Sequence, residues 1–172
     1  MDIMKLETLI AYLTDQTIIK GKKALQKLVY FCSEAGVPVY VNFRLHIYGP
    51  YSNEVAEELG EAITKDIVKI APDGYSFSRG SSCDKYLARD REDIVANQEK
   101  IKKALDVFGK FMPKDLELYA TIHFISTALN EAYGEIAEER VVREVYRAKG
   151  DKFSVQRIKD AYQDLLSWGW LA

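Results

Sequence analysis

Little in this chain of 172 residues hints at bond-making chemistry. It has two cysteines, Cys32 and Cys83, and two histidines, His46 and His123, all far apart in sequence. That spacing lacks the clustered thiols and imidazoles of a zinc site, so no metal and no cofactor are expected. Cys32 falls in an apolar helical pattern and reads as a small buried hydrophobe. Cys83, in the loop-like run Ser81-Ser82-Cys83-Asp84, is open to being an exposed thiol. Long apolar runs are missing too; none approaches the ~20 residues that a membrane-spanning helix needs. The first residues carry acids at Asp2 and Glu7, which argues against a targeting peptide, so a cytoplasmic protein without membrane contact is expected.

A basic excess is absent. Lysine and arginine number 24 against 26 acidic residues, and both the first 80 residues and the remainder are nearly balanced. Nonspecific phosphate contact draws on such an excess, so nucleic acid is a disfavoured partner. Gly21-Lys22 lacks the preceding glycines and the following Ser/Thr of a phosphate loop. The cluster Lys20, Lys22, Lys23 and Lys27 then reads as a solvated helix end, with a weak phosphate or acidic-partner site as second choice. No low-complexity tract or long repeat stands out. No Ser-His-Asp or Cys-His spacing and no metal set is present, and an enzyme is not expected.

What is present is helical periodicity. Ile3, Leu6, Ile10 and Leu13 mark a first helix, and Leu25, Leu28, Val29 and Cys32 a second that Gly36 closes. From about Val41 to Tyr48 the residues alternate, with Phe43, Leu45 and Ile47 on one face and Arg44, His46 and Tyr48 on the other, the pattern of a half-buried strand. Gly49-Pro50 suits a sharp reversal, after which Ser52 caps a third helix with Val55, Leu59 and Ile63 inside. Tyr48 and Tyr51 would pack their rings on either side with wet hydroxyls. A hairpin follows around Asp73-Gly74. Helices followed by a hairpin suggest a winged-helix-like half over residues 1–80. The small and charged residues from Gly80 to Asp90 read as a linker.

Residues 81–172 read as a helical bundle, packed with the first half as one compact unit. One helix carries Ile94, Ile101, Leu105 and Phe108, and Pro113 opens the next, with Leu118, Ile122, Ile125 and Leu129 on its face. A third, around Val141, Val142, Val145 and Tyr146, ends at Gly150, and Ser154 caps the last. The short turn between the final two is compatible with a helix-turn-helix, and Trp168-Gly169-Trp170-Leu171 stands where a wing strand would begin. The fold class expected is mainly α with a small antiparallel β element.

The stretch Ala24-Leu25-Gln26-Lys27-Leu28-Val29-Tyr30-Phe31, followed about twenty residues later by Tyr48-Gly49-Pro50-Tyr51-Ser52, resembles the YwgA-like bacterial and archaeal proteins, which have no assigned activity. These are in turn distantly similar to the Panacea (SocA-like) domain, which shares an "LQKLLY" helix and a later Gly-Pro. The resemblance covers roughly residues 5 to 80. Panacea-type proteins act as antitoxins and, in one branch, as adaptors that deliver a toxin to a protease. The resemblance therefore implies a noncatalytic protein-binding module whose partner belongs to a toxin or protease system. The alternative is a DNA-binding winged-helix or helix-turn-helix regulator.

The candidate binding residues are Arg44, His46, Tyr48, Pro50 and Tyr51, together with Glu54, Glu57, Glu58 and Glu61. Arg44, His46 and Tyr48 either cover the outer face of a sheet or line a pocket for an anion or a peptide carboxylate. The four glutamates fall at i, i+3, i+4 and i+7 on one helix face, which is either solvated or a contact surface for a basic partner. A row of acids would repel phosphates, which counts against DNA reading by this helix. In the last helix Gln156 and Arg157 could read bases, but Asp160 and Asp164 offset them. His123, inside an apolar helical pattern, reads as a satisfied core residue.

Overall fold

The first two helices, α1 (Leu6–Gln16) and α2 (Lys22–Glu34), form where the periodic apolar positions predict them. The structure, a computed structural model, describes residues 3–171; Met1 and Asp2, whose charge entered the expectation of no targeting peptide, lie outside the described residues. A hairpin of β1 (Arg44–His46) and β2 (Gly49–Tyr51) follows, then α3 (Asn53–Thr64) and a second hairpin of β3 (Val68–Ile70) and β4 (Phe77–Arg79). The helices α4 (Cys83–Arg89), α5 (Arg91–Phe108), α6 (Pro113–Tyr133), α7 (Glu138–Lys149) and α8 (Val155–Ser167) complete the chain. The molecule is mainly helical with two small antiparallel strand pairs. Among the described residues, no helix is long and apolar enough to cross a membrane.

Several local signals act as expected. Ser52 and Ser154 each accept a hydrogen bond from a backbone N–H three residues on, at Val55 and Arg157, so both cap their helices. Pro113 sits in the first turn of α6, where a missing N–H costs nothing. Asp73 organises the second loop by accepting from the N–H groups of Tyr75 and Ser76. α2 packs against both α5 and α6, and its Phe31 ring stacks on Phe108 at 3.6 Å.

Four expectations need correction. The run Val41–Tyr48 is not a half-buried strand: only three residues pair, all three are exposed, and Ile47 is 81% exposed. The chain reverses at Ile47-Tyr48 instead, because Gly49 and Pro50 are already in the returning strand, opposite His46 and Leu45. Gly80–Asp90 is no linker, since it contains α4, which packs on α1. Cys83 is buried, its thiol 3.5 Å from the Ala11 carbonyl. After α8, Trp170 folds back so that its indole lies edge-on to Phe31 and Phe108.

Candidate functional site

The hairpin β1–β2 is fixed by α2, through two polar residues set in a buried apolar run. Ala24 to Cys32 is buried throughout, so Gln26 and Lys27 both need partners inside the protein. The Gln26 side-chain amide donates to the Ser52 carbonyl at 2.9 Å and accepts from the Ser52 N–H at 2.8 Å. Lys27 Nζ donates to the Pro50 carbonyl at 2.8 Å. The two sequence signatures, Gln26-Lys27 on the helix and Gly49-Pro50-Tyr51-Ser52 on the hairpin, are thus bonded to each other. Gly49 is required for this approach. Its φ is +94°, and a Cβ there would stand 2.8 Å from Thr121 Oγ1.

Beneath Gly49-Pro50 lies a charge cluster that sequence reasoning missed. Glu117 of α6 is fully buried, with Lys23 at 2.9 Å and Lys152 at 2.7 Å from Oε1, and Lys149 at 3.0 Å from Oε2. Burial by itself would raise the Glu117 carboxyl, but hydrogen bonds from Lys152, Lys23 and Lys149 outweigh it and hold the group below the usual carboxylate range. Lys27, 1% exposed, is pushed down to about 7. Burial is the main cause; the nearby Glu117 opposes it, while the other three lysines add to it. Lys149 is likewise lowered by burial, against the pull of Glu117. The cluster corrects the reading of Lys20, Lys22, Lys23 and Lys27 as one solvated end. Lys22 is exposed and Lys20 half-buried, but Lys23 and Lys27 are structural.

Of the candidate residues, Arg44, His46, Tyr51 and Glu54 come together, with Asn42 and Asn53, around an open polar cleft of about 410 Å³. The His46 and Tyr51 rings lie 4.8 Å apart, and Glu54 accepts from the Asn42 N–H at 2.8 Å. Arg44 has no carboxylate partner among the described residues. Tyr48 and Pro50 belong instead to the lysine side. The Tyr48 ring, 55% exposed, has Lys23 Nζ at 4.6 Å and Lys152 Nζ at 4.9 Å from its centroid, two cation–π contacts. Glu57 and Glu61 are exposed on α3, away from the cleft. Glu58 is half-buried near Glu7, and burial together with that like charge raises its carboxyl.

On the other side of β1, Leu45 lines an open apolar groove with Phe124, Ile125 and Leu129 of α6 and Ala148 of α7. His123 is not part of any of these sites. It is buried, 2.7 Å from the Tyr30 hydroxyl, and burial pushes it down to about 4, so it stays neutral in the core. Among the described residues no group of His, Cys, Asp and Glu is placed to hold a metal ion.

No family model matches the chain. The uncharacterised protein YwgA of Bacillus subtilis (strain 168) is 30% identical to it over 113 residues, which span 63% of this chain and 67% of that protein.

Proposed function

Taking as premise that the chain belongs to the YwgA family, we propose that it is a noncatalytic protein-binding module whose contact surface is the β1–β2 hairpin. One observation carries this reading. The hairpin is tied to buried Gln26 and Lys27, yet holds Leu45, Ile47 and Tyr48 in solvent at 38%, 81% and 55% exposure. Apolar side chains held out on a fixed support lose little entropy when a partner covers them. An adaptor or antitoxin-like role fits such a surface, as the likeness to Panacea-type domains implies. Two buried, unpaired thiols suit a reducing compartment such as the cytoplasm.

A winged-helix-like N-terminal half is part of the proposal. Its support is the antiparallel bridge between Ile19, in the α1–α2 connection, and Phe77 of β4. That bridge puts an extended contact between the first two helices, where a winged helix carries a strand. DNA binding is the weaker reading, because Glu57 and Glu61 are exposed on α3 and Arg157 of α8 is paired with Asp115 at 3.1 Å.

The test is affinity capture from the native host with the full chain and with Ile47→Glu. A specific protein retained by the first and lost by the second is expected. Recovery of no specific protein, or equal recovery by both, would count against the hairpin as the contact surface.

A further inference from the structure

We infer that β1 receives an extended segment of the partner as an added strand, one that alternates acidic with apolar side chains; this rests on the hairpin being the contact surface. The backbone directions supply the first part. Leu45 pairs with Pro50, which has no N–H, and the Pro50 carbonyl points to Lys27 on the far side of the hairpin. Leu45↔Pro50 is therefore a non-hydrogen-bonded pair, and the Leu45 N–H and C=O point outward, away from β2. Outside the ladder they have no backbone partner among the described residues. The opposite edge of the sheet is already filled by Gln26 and Lys27. One edge is open and it is that of β1, as strand addition requires.

Side-chain chemistry supplies the second part. Leu45 faces the apolar groove between β1 and α6–α7, of about 320 Å³, whose rim also holds Glu144 and Arg147. Arg44 and His46 face the polar cleft on the other side. A residue added opposite Leu45 directs its side chain to the Leu45 face, and its two neighbours direct theirs to the Arg44 and His46 face. The first position calls for an apolar group. A neighbour beside Arg44 calls for a carboxylate, because that guanidinium has none among the described residues and Glu54, the carboxylate in the cleft, is engaged by the Asn42 N–H.

The probe is a fluorescein-labelled octapeptide alternating glutamate and valine, titrated with the full chain at low salt and read by fluorescence polarisation. Micromolar binding is expected, weakened at least tenfold by Arg44→Glu and by a lysine–valine peptide. Leu45→Pro removes the outward N–H without removing a ladder bond, and it is expected to abolish binding while leaving the thermal midpoint within a few degrees. Two peptides N-methylated on alternate amides, in opposite phase, test the same bond with the protein unaltered: one phase should bind and the other should not. No binding by the glutamate–valine peptide, equal binding in both methylated phases, or unchanged binding by Leu45→Pro would each overturn strand addition. A dimer that Leu45→Pro converts to monomer, with no peptide bound, would overturn it in favour of a second copy on the same edge. A host protein lost with Ile47→Glu but retained by Leu45→Pro would overturn the added strand while leaving the hairpin as the contact surface.

Discussion

Replacing Lys27 by methionine should flatten the rise of folding stability with pH. Lys27 Nζ is buried against the Pro50 carbonyl, and its affinity for a proton falls from an ordinary value of 10.5 to about 7. Between those values the unfolded chain holds a proton that the folded chain has released. Its contribution is therefore fully present above pH 10.5, is lost as the pH falls to about 7, and is constant below. The limiting slope for one group is about 1.4 kcal/mol per pH unit, so between pH 7 and 8.5 this lysine should add roughly 1 to 2 kcal/mol. Lys149 acts in the same direction but is present in both proteins. Cys32, whose thiol burial pushes up to about 12 from 9.0, opposes the trend chiefly above that window. Urea unfolding of the native chain and Lys27→Met at half-unit pH steps isolates the difference. Near pH 7 the two should lie close, since the variant loses a hydrogen bond but also a buried charge. By pH 8.5 the native chain should have gained on the variant. Parallel pH profiles would refute the assignment of Lys27 as a lysine that deprotonates on burial near neutral pH.

Glu117→Gln should destabilise by roughly 3 kcal/mol or more, measured by urea unfolding at pH 7, since it leaves lysines at 2.7–3.0 Å without their carboxylate. Gly49→Ala should cost roughly 2 kcal/mol or more in the same assay, from a left-handed φ and a Cβ 2.8 Å from Thr121 Oγ1; an unchanged midpoint would show that the strand shifts freely. Gln26→Leu should cost roughly 1 to 3 kcal/mol, because the Ser52 N–H is left buried without its partner while the Ser52 carbonyl keeps only the Ala56 N–H at 3.3 Å. Hydrogen exchange should then show the Ser52 amide losing protection before the amides of α2.

The helices were legible in the sequence because their signals are local: periodic leucines, the serine caps at Ser52 and Ser154, and Pro113 in a first turn. The strand around Leu45 was misread because alternation over Val41–Tyr48 cannot show where the chain turns back. Pro50 looked like the reversal, yet its missing N–H faces away from β1 and costs the ladder nothing. Cys83 was obscured by its serine neighbours, since what buries it is α1, seventy-two residues earlier at the Ala11 contact. The lysine cluster was invisible for the same reason: Glu117 lies 94 residues from Lys23 and 35 from Lys152. One clue was available. Two polar residues, Gln26 and Lys27, stand where the helical pattern is otherwise apolar on every side, and such residues demand partners. Arg44, His46, Tyr51 and Glu54, four of the candidate residues, line one cleft that no spacing in the sequence displays, whereas Tyr48 turns to the lysines.

The Gln26 side chain does for Ser52 what the peptide group of an adjacent strand would do, offering one donor and one acceptor to the same residue. A helix side chain thereby terminates the sheet on that flank. Two-stranded ribbons with both flanks bare can stack copy upon copy without limit, the geometry of fibre growth. Here growth through β2 is blocked by a covalent part of the same molecule, so edge pairing between two copies through β1 would close at four strands and stop. Stoichiometry at this sheet is thus set by Gln26 and Lys27 of α2 and not by the strands.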